Sequence, residues 1–208
     1  MPSYLGKYKN SASKPGEKFV RAVESALLQE DFELVVVADG CDKTIELLKF
    51  NFAEELKSGI IRAFKISDSR SFGARRNAGA SGVPRNAGIQ QAKGEYVIYL
   101  DHDDTYRKDY LKDLKAEMTD HDWYWFDDLS WNKHMNRFDK HGCDIDVQGR
   151  CGTSNLCHKT DIGVWWYKKA SYLHDWMFVC GLKARSENYK KLDVVGYQIC
   201  HVPNLLDV

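Results

Sequence analysis

Residues 85–104 read RNAGIQQAKGEYVIYLDHDD. The first part predicts a short helix from Arg85 to Lys93. Gly94 stops it, because glycine just past the last helical residue closes a helix. Tyr96-Val97-Ile98-Tyr99-Leu100 follows and is nearly all apolar. A strand without polar alternation is covered on both faces, so this one is expected in the middle of a sheet between helices. It runs into Asp101-His102-Asp103-Asp104. Three carboxylates in four residues at the end of a buried strand repel one another and need a positive partner. Ligands of α/β sheets bind at that end of the strands. A divalent cation carrying a phosphate supplies the counter-charge, since hard cations take carboxylate oxygen. An acidic turn without a ligand is the simpler reading of Asp-x-Asp alone. The run of helix, glycine, buried strand, acids, Thr105 and a new helix favours a site.

Upstream, residues 5–17 are polar with Gly6, Pro15 and Gly16 and read as a loop. Phe19, Val20, Val23, Leu27 and Leu28 recur at helical spacing, which predicts a helix over 17–29. Leu34-Val35-Val36-Val37-Ala38 is a second buried strand, and it too ends in acids, Asp39-Gly40-Cys41-Asp42. Asp39 is either a ligand-binding carboxylate or the cap of the next helix. A helix over 44–57, a strand over 59–66 and a Ser/Gly/Arg-rich loop over 67–82 follow. In that loop, Arg75-Arg76-Asn77-Ala78-Gly79 nearly repeats Arg85-Asn86-Ala87-Gly88. Guanidinium groups match phosphate geometry, so Arg85, with Arg75 or Arg76, is a candidate diphosphate contact; a solvated loop charge is the other reading of Arg75 and Arg76.

Downstream, Tyr110, Leu111, Leu114 and Met118 line one helix face, and Trp123 to Phe126 form a strand ending in Asp127-Asp128. Residues 130–160 read as irregular, with a turn at Gly152-Thr153-Ser154-Asn155. Leu173-His174-Asp175-Trp176 precedes an apolar helix, and a last strand spans 192–199 before Cys200-His201. His201 is either a further metal ligand or a surface residue. Trp131, Trp165, Trp166 and Trp176 serve either as core or as stacking faces for sugars.

With 208 residues, one domain is expected. Lys+Arg and Asp+Glu are both 30, which leaves no net charge and argues against a nucleic-acid binder. No run is apolar and long enough to span a bilayer, and no secretory leader is evident. The six cysteines are scattered and read as free thiols in a reducing compartment. A zinc cluster at Cys143, Cys151, Cys157 and His158 is the alternative, but it lacks compact Cys-x-x-Cys spacing.

The chain resembles the inverting glycosyltransferases of family 2, which have the glycosyltransferase A fold. Their sequences read Arg-Asn-x-Gly, a helix, Lys/Arg-Gly-Glu-Tyr, an apolar strand and Asp-x-Asp. Arg85, Asn86, Gly88, Gly94, Glu95, Asp101, Asp103 and Asp104 match. The likeness runs from about residue 19 to about residue 180 and is strongest over 34–42 and 76–106. It implies an α/β fold, a mixed and mostly parallel sheet flanked by helices. Residues 1–106 would be the nucleotide-binding half and 107–208 the acceptor-binding half. Family members open with a central strand leading into Pro-Thr/Ser-Tyr; here Met1 is followed at once by Pro2-Ser3-Tyr4, so a missing or truncated first strand is expected.

The resemblance further implies a metal-dependent transfer of sugar from a nucleotide sugar, a UDP-sugar first, to a saccharide or lipid-linked acceptor in cell-surface polysaccharide synthesis. The place would be the cytoplasm or the inner face of the membrane. Asp39 and Asp42, in an Asp-Gly-Ser-x-Asp element with Cys41 for serine, would hold the donor nucleotide together with Arg85 and Asp101. Asp101, Asp103 and Asp104, with His201, would hold Mn²⁺ or Mg²⁺. Asp175 would be the catalytic base, although His174 replaces the acid that usually precedes it; a helix cap is the other reading of Asp175. Two further functions fit some of the residues. Asp101-His102-Asp103-Asp104-Thr105 matches the nucleophile motif of haloacid-dehalogenase phosphatases, with Asp127-Asp128 as the later acids. That fold puts its nucleophile on the first strand, whereas two strand–helix units precede Asp101 here. The other is a nucleotide-sugar-binding domain without catalysis.

Overall fold

The structure, a computed structural model, describes residues 1–6, 14–67, 81–132, 134–168 and 173–200. The first half begins with β1 (Pro2–Ser3) and α1 (Pro15–Leu27). It continues through β2 (Leu34–Asp39), α2 (Asp42–Asn51), α3 (Ala53–Ser58) and β3 (Ile61–Ile66). The three strands form a parallel sheet in the order β1-β2-β3. Proline in the first turn opens α1, where its missing N–H costs nothing. Phe19, Ala22, Val23 and Ala26 form the helix face buried against this sheet and the next elements. The single helix expected over 44–57 is two helices. The backbone leaves helical geometry at Phe52 (φ −136°, ψ 41°), whose ring packs into the core. Gly59 closes α3 at φ 82°, a left-handed conformation that glycine adopts without strain.

The stretch around 85–104 forms α4 (Gly82–Gln91) and β4 (Tyr96–Ile98). The helix starts earlier than Arg85 because Gly82 lets its backbone close on the 166–167 segment. A Cβ at Gly82 would stand 2.1 Å from the Tyr167 carbonyl oxygen. The strand differs from its expected central place. Among the described residues it pairs on one edge only, antiparallel to β9 (Leu156–Lys159). Its other edge faces a cavity of about 530 Å³ lined by Leu34, Val35, Ile98, Leu100 and Cys157. β1 pairs Pro2 with Val37 and Ser3 with Ala38, and the Met1 amine donates to the Val35 carbonyl at 2.8 Å beside this cavity.

The second half runs β5 (Thr105–Tyr106), α5 (Tyr110–Glu117), β6 (Trp123–Trp125), β7 (Asp128–Asn132), β8 (Arg137–His141), then β9, α6 (His174–Arg185), β10 (Tyr189–Lys191) and β11 (Tyr197–Ile199). These strands make two mixed sheets, β10-β6-β9-β4 and β5-β11-β7-β8. The region 130–160, expected to be irregular, thus holds a β7–β8 hairpin and the central strand β9. The hairpin escaped detection because its strands are polar and half-exposed, with little apolar alternation. Of the strand expected over 192–199, only the end is strand, β11 at Tyr197–Ile199; β10 ends before it at Lys191.

Buried aromatic side chains hold the second half together. Trp166 is 1% exposed and stacks on Phe178 at 4.0 Å between ring centres. Its indole N–H donates to the Tyr99 hydroxyl over 2.9 Å. Tyr99 lies 2.5 Å from His158 Nε2, and His158 Nδ1 lies 2.8 Å from the Lys159 carbonyl oxygen. A carbonyl only accepts, so Nδ1 carries the proton and Nε2 accepts from Tyr99. His158 is therefore neutral, and burial pushes its pKa down from 6.5 to about 4. The neutral form is favoured in the folded state, so stability falls as pH drops from 6.5 towards 4. The expected loss is about 3 kcal/mol. Urea midpoints at pH 7 and pH 4.5 test this: the drop should be clearly smaller in His158→Gln, and an equal drop in both proteins refutes it.

Candidate active site

The acidic strand end is sorted by what each carboxylate touches. Asp101 is paired with the Arg85 guanidinium at 2.8 Å. Asp104 is buried and turned inward, with Oδ2 accepting from the Tyr197 hydroxyl at 2.9 Å and Oδ1 from the Cys200 amide at 2.7 Å. The Tyr197 hydroxyl in turn accepts the Asp101 amide over 3.0 Å. Burial, with Asp104 and Asp101 beside it, raises the Tyr197 pKa well above the ordinary phenol value, so the hydroxyl stays a donor. Asp104 is thereby a brace between β5 and β11. Asp103 is buried at 9% exposure, and its backbone carbonyl accepts from Arg21 at 3.3 Å.

No cluster of three or more His, Cys, Asp or Glu ligands exists among the described residues. The oxygen donors Asp103 and Asp101 still suit a hard divalent ion. Mg²⁺-type sites use one or two carboxylates and complete the shell with substrate phosphate and water. His201, Arg75 and Arg76 lie outside the described residues. Asp39 ends β2 and is 5% exposed, whereas Asp42 opens α2 and pairs with Lys65 at 2.5 Å. The N-cap before α2 is Cys41, so Asp39 is not that cap.

Arg85 links this cluster to the second half. Its side chain is 4% exposed and its guanidinium lies 4.8 Å from the centre of the Trp166 ring. Burial opposes its charge, but Asp101 and then Asp175 outweigh burial and hold the pKa above the ordinary arginine value. The cation therefore stands in the fields of both acids. Asn86, next in the motif, ties the same helix to the same segment. Its amide donates to the Trp166 carbonyl at 2.9 Å and accepts the Trp166 N–H at 2.8 Å.

Asp175 lies in the first turn of α6, whose N-cap is Leu173, so it does not cap the helix. Thr153 donates to its Oδ1 over 2.9 Å, and His174 Nε2 lies 3.2 Å from the same oxygen. Thr153 opens a 3-10 turn, Thr153–Asn155. The sequence suggests a turn there but gives no sign that it reaches Asp175. Asp127 and Asp128 diverge. Asp127 meets Lys191 at 2.9 Å and Lys140 at 3.0 Å, and Asp128 accepts from Ser154 at 2.5 Å. Cys143, Cys151 and Cys157 are free and packed in apolar cores.

The arrangement resembles known proteins. Poly(ribitol-phosphate) beta-N-acetylglucosaminyltransferase TarS of Staphylococcus aureus is 32% identical over 111 residues, 50% of this chain and 17% of that protein. Succinoglycan biosynthesis protein ExoO of Rhizobium meliloti is 35% identical over 103 residues, 49% of this chain and 26% of that protein. The chain thus spans only a fraction of the length of the curated relatives it matches. The crystal structure of S. aureus TarS 1-349 in complex with UDP-GlcNAc aligns with a TM-score of 0.67 at 20% identity, covering 95% of this chain and 56% of that one. Mannosyltransferase PcManGT from Pyrobaculum calidifontis, in complex with GDP-Man and Mn²⁺, aligns with a TM-score of 0.63 at 12% identity, covering 98% of this chain and 56% of that one. These likenesses identify the glycosyltransferase A fold. The profile of the glycosyl transferase family 2 matches residues 16–179, most of the chain, and with the acidic strand end, the Arg85 link and the helix start in place, the chain belongs to that family.

Proposed function

We propose that the chain transfers a sugar from a nucleoside diphosphate sugar to an acceptor hydroxyl, with inversion at the anomeric carbon, during synthesis of a cell-surface polysaccharide. One observation carries the reading. Arg85 pairs with Asp101 at 2.8 Å and lies 4.8 Å over Trp166, whose ring neighbours that of His174 at 6.1 Å, and His174 meets Asp175 at 3.2 Å; this run of contacts supports reading the acidic cluster and the start of α6 as one site. A UDP-sugar is the first donor to test, because TarS binds UDP-GlcNAc in a fold that this chain shares. The polysaccharide setting follows the names of TarS and ExoO. No helix among the described residues is long and apolar enough to cross a membrane. We place the reaction in the cytoplasm, on a saccharide or lipid-linked acceptor.

In this reading residues 1–106 hold the donor and residues 107–208 the acceptor. Asp39 at the end of β2 accepts from the base, since a carboxylate takes an imide N–H, and Asp42 lies nearby on α2. Asp103, with Asp101, would hold Mn²⁺ or Mg²⁺, which when bound offsets the charge on the departing diphosphate. Arg85 pairs with Asp101 and would add positive potential beside the phosphates. Thr153 and His174 both engage Asp175 Oδ1, which leaves Oδ2 to take the acceptor's proton as its oxygen attacks the anomeric carbon from the far side. The nucleoside diphosphate leaves with the bonding electron pair.

The phosphatase reading loses its support. Family membership opposes it, and its second acidic pair is spent on Lys140, Lys191, Ser154 and Asn155. Thermal midpoints with UDP, GDP, dTDP and CDP, each with and without Mn²⁺, test the donor half. UDP with Mn²⁺ at about 100 times Kd should raise Tm by roughly 5–10 °C, and Asp103→Asn should remove the metal-dependent part. No shift with any nucleotide overturns the reading. Binding of UDP with Mn²⁺ but no release of UDP from UDP-GlcNAc or other UDP-sugars in the presence of acceptor would favour a binding domain.

A further inference from the structure

Asp128 is a buried acid for which the reaction has no evident use. It is 2% exposed at the start of β7, and burial raises its pKa despite its hydrogen-bond donors. A buried carboxylate costs free energy unless it is well satisfied. Its Oδ2 accepts from Ser154 Oγ at 2.5 Å and from Asn155 Nδ2 at 3.1 Å. Its Oδ1 faces His141 Nδ1 at 3.4 Å. Both close donors belong to the 3-10 turn Thr153–Asn155, the turn from which Thr153 reaches Asp175.

The rest of the turn is tied as tightly. Asn155 Nδ2 also donates to the Phe126 carbonyl at 3.0 Å, and the Phe126 amide donates to the Asn155 carbonyl at 3.1 Å. Asn155 Oδ1 accepts the Gly152 amide at 2.8 Å. Asn155 therefore fixes where the turn ends. Without Asp128, its hydrogen bonds to Phe126 and Gly152 would remain. What Asp128 adds is the closer hold on the Ser154 hydroxyl, at 2.5 Å against 3.4 Å to Asn155 Oδ1, which bears on the rotation of the turn between Asn155 and Thr153. That rotation aims the Thr153 hydroxyl at Asp175 Oδ1.

We propose that Asp128 is a positioning residue, which acts on the catalytic base by clamping the turn that presents Thr153 to Asp175. The proposal rests on the reading of Asp175 as the base. Two hydrogen bonds, Ser154 to Asp128 and Thr153 to Asp175, joined by the covalent backbone between Thr153 and Ser154, orient one oxygen of the base while leaving the other to the acceptor hydroxyl. Orientation of this kind matters because small misplacements of a catalytic group cost large factors in rate.

The test has a spectroscopic arm and a kinetic arm. The side-chain ¹³C carboxyl resonance of Asp175 is identified by its loss in Asp175→Asn. It should move in Thr153→Val and move the same way in Asp128→Ala and Ser154→Ala. Ser154→Ala keeps the buried acid and guards against a loss of folding in Asp128→Ala. A resonance that moves in Thr153→Val but stays in place in both other variants overturns the proposal. With UDP-GlcNAc as donor, Ser154→Ala and Asp128→Ala should lower kcat about tenfold with donor KM unchanged. Either change made on top of Thr153→Val should add almost nothing, because all three act along one path. Additive losses, or losses in KM alone, also overturn it. If Asp175→Asn itself keeps wild-type kcat, the reading of the base fails instead, and the resonance still decides whether Asp128 sets the geometry at Asp175.

Discussion

Asp175→Asn should lower kcat for sugar transfer by about a thousandfold, inside the roughly 10²–10⁴ range for a lost general base. Donor binding, read as the UDP- and Mn²⁺-dependent thermal shift, should be unchanged. The separation follows from geometry. Asp175 lies on α6, while of the carboxylates assigned to the donor, Asp39 ends β2 and Asp101 follows β4. Thr153 and His174 approach the same oxygen, so an amide at this place retains most of the packing but cannot take a proton. A variant that loses less than about tenfold would remove Asp175 from the base role. Loss of the thermal shift as well would mean that Asp175 acts through Arg85 on the donor side.

The second large effect is on stability. Arg85→Met should destabilise the protein by on the order of 3 kcal/mol, because removing one partner leaves Asp101 in a poorly solvated place without its cation. The Asp101 side chain is 33% exposed, which puts the expected loss at the low end of what a fully buried pair would show. Methionine keeps apolar contact with Trp166 but not the cation–π attraction at 4.8 Å. Urea unfolding at pH 7 measures the loss. Asp101→Asn made on top of Arg85→Met should restore part of it, since the stranded charge is then gone. Equal stability of Arg85→Met and the wild type would show that the pair contributes nothing and that water or an ion neutralises Asp101.

Local patterns carried much of this. Leu34 to Ala38 and Tyr96 to Leu100 are apolar runs ending in acids, and such runs are legible because a strand's partners leave an imprint on its own residues. The first is a strand that ends on Asp39, and the second is a strand only over Tyr96–Ile98, with Asp101 beyond its end. The helix after Leu173 is legible for the same reason, and the family resemblance rests on these stretches together. Asp104 shows the limit. It reads as one acid among three, yet its carboxylate is taken by Tyr197, 93 residues away.

The sequence by itself determined the α/β class, the order of its main helices and strands, the acidic strand ends and the family. Each of these is written in short-range periodicity or in contiguous motifs. Only the tertiary structure decided that β4 pairs on one edge among the described residues, that Asp104 is a brace, that Thr153 meets Asp175 and that Ser154 meets Asp128. Those facts depend on contacts such as Thr153 to Asp175, 22 residues apart, and Ser154 to Asp128, 26 apart. A hydrogen bond between polar side chains that distant leaves no period in the chain, because neither residue's neighbours need to change for the pair to form.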